Sequence, residues 1–494
     1  MKTFVIGSTK HLLVAAIYIA LGGLLTLIVT AVMFLNARPD LNIWHSTLLE
    51  NQFQHDKGIT SFNEYLANEQ RLFSEVEQRI YAHTTLAEHS PITRYVRGSL
   101  SDPKHWQTPW NRSFEWPNSQ ARYGVLLLHG MSDSPYAMSH LAEHFRSQAH
   151  VVGLRLPGHG TLPSGLVNLA WQDLASAVAL ATEHLNEQLN GKPIFVIGFS
   201  TGAALALNHE LTLISRDQQP SYSAMVFISP AIGLPPVAAG AKWQANLGRL
   251  LSLDKLLWNS IQTEYDPFKY MSFAVNAGDV VYQLAQRNRQ MLMSMSQDKL
   301  VQLPPTLTFQ SLVDDTVSTG AVLNDFYQWL PQTVAHEYVM FDINRTQINM
   351  GLIPNDPLLP YRGLLDSESF AVDFTLVQNK PQPSLTTLLG IKPQDEVESV
   401  RFGPKGKVVT PLGLYWPDSV YSLSHVALPI PEADSLYGPS AEMDNPRVHI
   451  GAADSRGERG LLSVPANEIL RQKWNPFYPY MIERIDQYFG NRSM

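Results

Sequence analysis

A mostly parallel β-sheet covered by helices on both faces is the fold class this sequence predicts, and three observations predict it. Short apolar runs recur after Tyr123, at Val125 to Leu128, Val151 to Leu154, Ile194 to Ile197, Ala224 to Ile228, Leu307 to Phe309 and Tyr338 to Phe341. None alternates apolar with polar residues, as a strand with one wet face would. Helical patterns separate them, which is the signature of an α/β chain rather than a barrel or sandwich.

The N-terminus comes before that alternation begins. Leu12 to Leu35 is uncharged and mostly apolar over 24 residues, enough at about 1.5 Å per residue to cross a hydrocarbon core of roughly 30 Å. A removed leader has an apolar region of only about 7 to 15 residues, so the segment reads as an uncleaved signal anchor, with Asn36-Ala37 as a weak cleavage possibility. Lys2 and Lys10 flank its short side, whereas Arg38 and Asp40 lie beyond it. By the positive-inside rule the body faces away from the cytoplasm, on a periplasmic or extracellular side.

The expected organisation is therefore a stub and anchor over residues 1–37, a membrane-proximal lead-in over 38–115, and one α/β domain over 116–494. The lead-in carries a helical pattern from Ser61 to Ile80 and could exist as a separate interaction module. Two stretches interrupt the domain. Residues 235–303 show helical apolar spacing at Leu247, Leu250, Leu251, Leu256 and Leu257, expected to form a cap. Residues 342–420 are richer in Pro, Gly and Asp.

Composition removes several function classes. The net charge is -8, which offers no basic surface for nucleic acid. There is no cysteine, which excludes disulfides, thiolate nucleophiles and Cys-based zinc sites.

One motif carries the chemistry. Gly198-Phe199-Ser200-Thr201-Gly202 follows a buried-strand pattern and precedes the helical run Ala203 to Leu207. A serine at such a strand-to-helix turn is a nucleophile elbow, exposing its hydroxyl at the head of a helix. Acyl transfer by a serine also needs a base, an acid to orient it and donors for the oxyanion. Asp314, in the polar loop after the strand from Thr306, is the expected acid, with Val317 anchoring the loop and Asp315 as competitor.

His425, in the loop Tyr421-Ser422-Leu423-Ser424-His425, is the expected base; His336 precedes its strand at the wrong end, and His449 is the other downstream alternative. The loop His129-Gly130-Met131 after the first apolar strand supplies the remaining part: the backbone N–H groups of Met131 and Thr201 are the expected oxyanion donors. His129 is expected to brace that loop. Pro157-Gly158-His159-Gly160 reads as a turn, Trp171-Gln172-Asp173 as packing and capping, and Glu264 and Asp266 as members of a solvated cap loop.

Taken in order, His129-Gly130-Met131-Ser132-Asp133-Ser134-Pro135, Arg155-Leu156-Pro157-Gly158-His159-Gly160, the Ser200 motif, the Asp314 loop and Ser424-His425-Val426 resemble the α/β-hydrolase superfamily. The likeness is to its carboxylesterase and monoacylglycerol-lipase branch and covers residues 120–335 and 420–490. It implies an eight-stranded core, a cap over the site, a Ser200, Asp314 and His425 triad, and no metal or cofactor. The acid-to-base spacing is far longer than that family's usual few tens of residues, and the anchored lead-in is not part of its standard module. The expected function is cleavage of a lipid or other acyl ester by a membrane-anchored serine hydrolase. Acyl transfer or thioester cleavage on the same triad, and an inactive lipid- or protein-binding scaffold, remain alternatives.

Overall fold

The computed structural model describes residues 2–233, 244, 248–345, 353, 355–365, 372–380, 396–402, 406–417, 420–439, 457–458 and 472–493. Its centre is a ten-stranded sheet. In chain order the strands are β1 (Phe114–Trp116), β2 (Tyr123–Leu128), β3 (Ala149–Leu154), β4 (Ile194–Phe199), β5 (Ala224–Ile228), β6 (Trp258–Ser260), β7 (Phe273–Ala274), β8 (Thr306–Ser311), β9 (His336–Phe341), β10 (Val372–Asn379), β11 (Glu396–Arg401) and β12 (Val408–Tyr415). The sheet runs β1-β3-β2-β4-β5-β8-β9-β10-β11-β12, while β6 and β7 form a separate pair. Pairings from β3 through to β10 are parallel; β1 at one edge and β11 and β12 at the other are antiparallel. This is an α/β-hydrolase fold, extended from the expected eight strands by a hairpin array on one edge.

The absence of alternation in the strands has a direct cause. Leu126 and Leu128 of β2 enter one core, with Val196 and the helices Trp171–Leu189 and Thr201–Ser215. Val125 and Leu127 enter the core on the other face, with Phe195, Ile197 and the helix Tyr478–Gly490. Both faces are dry, so inward positions on either side of β2 and β4 are apolar.

The expected cap over residues 235–303 is shorter than the sequence suggested. Helix Val275–Ser294 buries Val280, Val281, Leu284 and Leu292 in the body, and Asn288 Nδ2 donates to Ala204 O of the Ser200 helix at 2.8 Å. It therefore packs against the Ser200 helix as part of the body. Among the expected cap leucines, Leu250 and Leu251 are exposed, Leu256 and Leu257 are half-buried, and Leu247 lies outside the described residues.

The lead-in is part of the same body. Phe53, Phe62 and Tyr65 join the larger core. Arg155 Nε donates to Glu69 Oε2 at 2.6 Å with both side chains buried, and Tyr65 Oη donates to Arg155 O at 2.6 Å. Asp173 accepts from Ala170 N at 3.1 Å, capping its helix as expected, and also from His55 N at 2.9 Å. Ahead of the lead-in, helix Lys2–Ala37 contains Val14–Ala37, with mean hydropathy 2.3 and none of it buried. That stretch is long and apolar enough to span a membrane.

The second interruption is spliced out neatly at its base. Asn344 N donates to Tyr421 O at 2.7 Å, and Asn344 Nδ2 donates to Val420 O at 2.8 Å. The chain thus leaves after β9, adds β10 to β12 to the sheet edge, and returns to the point of departure.

Candidate active site

Ser200 sits between β4 and the helix Thr201–Ser215 with φ 53° and ψ -114°. A non-glycine residue in that region is strained by roughly 1–3 kcal/mol, and the neighbouring bonds hold it there. Its N–H donates to Ile228 O at 2.9 Å, and its carbonyl accepts from Ala203 N and Ala231 N at 3.1 Å each. The flanking glycines allow the turn to close: a Cβ on Gly202 would lie 2.2 Å from Leu128 O, and one on Gly198 would lie 2.5 Å from Ala203 N.

Asp314 follows β8 at its carboxyl end. Its Oδ1 accepts from Thr316 N and Val317 N at 3.0 Å each, leaving Oδ2 to pair with His425 Nδ1 at 2.9 Å. Both side chains are almost wholly buried. Asp315, the competing acid, is exposed. His336 is buried at the start of β9, where its Nδ1 meets Thr306 N and Oγ1, and burial pushes it down to about 3. His449 lies outside the described residues.

The imidazole of His425 packs on the ring of Phe199, the residue before Ser200, with centroids 5.1 Å apart. No hydrogen bond joins the Ser200 hydroxyl to His425 among the described residues; in the unliganded state such bonds are often long and tighten only around substrate.

Thr201 begins its helix, so its N–H has no intrahelical acceptor and points with the helix dipole toward the Ser200 turn. Met131 follows β2 in a loop pinned by His129: Leu156 N donates to His129 Nε2 at 3.0 Å, which leaves Nδ1–H to donate to Gly130 O at 2.8 Å. Burial pushes His129 down to about 3, so the ring stays neutral as a brace. The Pro157 to Gly160 turn is likewise structural. Gly158 and Gly160 stand at φ 81° and 69°, and a Cβ on Gly160 would lie 2.2 Å from Asn111 O.

Two features were not foreseen. Glu458 accepts the backbone N–H of His425 through its carboxylate, while its own N–H donates to Ser422 Oγ at 2.9 Å, clamping the histidine loop from a distant segment. No periodicity or turn pattern around Glu458 signals this. Glu264 and Asp266, expected in a solvated loop, are buried. Glu264 accepts from Met271 N and Ser272 N, and Asp266 from Phe268 N, Lys269 N and the Tyr437 hydroxyl, so both organise the cap segment beside the site.

That segment walls a cleft of about 190 Å³, lined by Tyr136, Phe199, Phe268, Val426 and Ile430 with Lys269 and Lys473 at its side. Tyr136 and Phe268 stack with centroids 4.3 Å apart. The cleft touches Phe199 and Val426, the sequence neighbours of Ser200 and His425. Among the described residues no cluster of His, Asp and Glu is suited to hold a metal ion.

Residues 125–362 match the alpha/beta hydrolase family. Over 129 residues the chain is 33% identical to a thermostable monoacylglycerol lipase of Bacillus sp. strain H-257; the match takes in 26% of this chain and 48% of that protein. Among solved structures, it resembles the metagenome-derived lipolytic enzymes LipS and LipT, at 21% identity with a TM-score of 0.34, over 44% of this chain and 83% of that one. It also resembles a monoglyceride lipase from Saccharomyces cerevisiae, at 15% identity with a TM-score of 0.36, over 47% and 82%.

Proposed function

From an α/β-hydrolase fold whose residues 125–362 match that family, we propose that the chain is a membrane-anchored serine hydrolase of carboxylic esters with a long apolar acyl or alkyl group. The observation that carries this reading is the buried Asp314 to His425 bond beside a strained serine elbow.

In this mechanism Ser200 Oγ attacks the acyl carbon while His425 Nε2 takes its proton. Asp314 holds Nδ1–H, which fixes the tautomer and stabilises the imidazolium. The N–H groups of Met131 and Thr201 receive the oxyanion. Collapse expels the alcohol, protonated by His425, and leaves Ser200 acylated. Water, deprotonated by the same imidazole, then releases the acid. The apolar cleft at Phe199 and Val426 suits the hydrocarbon part of such an ester, and the monoacylglycerol lipase relative supports a lipid substrate.

The test is hydrolysis of p-nitrophenyl butyrate together with labelling by a fluorophosphonate. Wild-type protein is expected to be labelled, and Ser200→Ala is expected to lose labelling and at least about 10⁴-fold in kcat. Full hydrolysis by Ser200→Ala would overturn the mechanism, and wild-type protein that takes no label would favour the inactive scaffold.

A further inference from the structure

We propose that a second cleft, between the helix Phe62–Arg79, the loop of residues 94–112 and Gly160-Thr161, binds a molecule carrying a phosphate or carboxylate group. The cleft has a volume of about 230 Å³, and no residue assigned to catalysis lines it. Four cationic side chains face it, Arg94, Arg97, Lys104 and Arg112, against the single carboxylate of Glu77.

Arg94 is the central observation. It is only 1% exposed, yet its Nη2 finds just the neutral Oδ1 of Asn111, at 3.1 Å. Its Nε and Nη1 have no hydrogen-bond partner among the described residues. No carboxylate lies within ion-pair distance of it there; the buried Glu264 carboxylate acts on it only through space, and the rings of Tyr95 and Tyr270 stand at 5.3 and 5.6 Å. A buried guanidinium without an anion is costly to retain, and its planar fork of donors matches an oxyanion.

Two more buried donors at the cleft lack partners, Thr161 Oγ1 and Arg97 Nε. The carboxylates nearby are already committed. Glu77 pairs with Arg97 and, at 3.6 Å, with Lys104, and Asp102 pairs with Arg97 at 2.6 Å. Among the described residues, Arg112 donates to Gln70 Oε1 at 2.6 Å and lies over the face of Phe73 at 4.1 Å, with no carboxylate in ion-pair distance. Trp106 and Trp110 add apolar wall, so the ligand class is an oxyanion attached to an apolar or flat group.

Both a soluble anion and a lipid headgroup could supply that chemistry, because the cleft is linked to the exit of the apolar N-terminal helix. Arg38, which follows that helix, donates to Trp258 O at 2.7 Å. Trp258 packs on His45, and Trp44 stacks on Tyr95, the neighbour of Arg94, with centroids 5.2 Å apart.

The experiment follows tryptophan emission of the full chain in dodecyl maltoside micelles titrated separately with inorganic phosphate, hexanoate and phosphatidylglycerol. A saturable change with at least one probe is expected, and it should be unaltered in Ser200→Ala, which separates this site from the catalytic one. Saturation by phosphate or hexanoate identifies a soluble anion; a response to phosphatidylglycerol alone identifies a headgroup. Arg94→Met and Thr161→Val should each weaken binding about tenfold or more while keeping the wild-type circular dichroism spectrum. Arg112→Gln, at a half-buried position, serves the same purpose if Arg94→Met does not fold. No saturable response to any probe, or wild-type affinity in both Thr161→Val and Arg112→Gln, overturns the proposal.

Discussion

Single residues at this site divide by what fixes them. Ser200 was legible because a strand, a glycine-flanked serine and a helix together leave the turn one geometry. Asp314 was legible because the end of β8 feeds a polar loop, and the loop's own amides at Thr316 and Val317 orient the carboxylate. Asp314→Asn should leave the fold intact and lower kcat by about 10⁴ through the wrong imidazole tautomer, whereas Asp315→Asn should stay within about twofold. Steady-state kinetics on a short acyl ester separates them, and equal losses would reassign the acid. Glu458 was not legible: it reaches the N–H of His425 through a contact between segments 33 positions apart, and nothing local marks such a residue.

At the scale of elements, the sequence identified the central strands but misjudged the insertions. The spacing from Asp314 to His425, 111 positions, looked like a departure that endangered the base. Asn344 binds Val420 and Tyr421 and closes the inserted strands at their root, so the insertion does not keep His425 from Asp314. Residues 235–303 were read as cap from the leucines between Leu247 and Leu257, a spacing that does not reveal which surface the following helix Val275–Ser294 meets. The lead-in was open to reading as a separate module for the same reason, yet Glu69 of that segment answers the buried Arg155. Glu69→Ala, which strands the guanidinium, should destabilise the protein by about 3–5 kcal/mol. Differential scanning fluorimetry should then record a melting point several degrees lower, and an unchanged value would mean that the lead-in is not coupled to the body.

For the whole molecule, buried histidines set the response to acid. Burial pushes His129, His159 and His336 down to about 3 in the folded protein, while the unfolded chain takes up these protons near pH 6.5. The unfolded state therefore binds more protons between about pH 6.5 and 3, and stability should fall as pH drops through that window. Glu210 acts with opposite sign: burial raises it to about 8, so its contribution is lost as pH rises from about 4.5 to 8. Melting points should accordingly fall steeply from pH 6.5 to pH 4, and a flat profile there would contradict the burial of these rings.

Orientation is testable at the same scale, since the chain has no native cysteine. An exposed Glu187→Cys should react with a membrane-impermeant maleimide on intact cells if the body faces outward. Protection that persists after the outer envelope is permeabilised and ends only on lysis of the inner membrane would place it in the cytoplasm.

The sequence by itself determined the parallel sheet, the apolar N-terminal segment, the serine elbow and the loop bearing Asp314, because each is written in residues adjacent along the chain. Only the tertiary structure decided that His425 meets Asp314, that the lead-in shares the core, and that Arg94 is buried with no ion-paired carboxylate among the described residues. Those outcomes depend on which distant surfaces exclude water together, and periodicity along one segment carries no information about its partner.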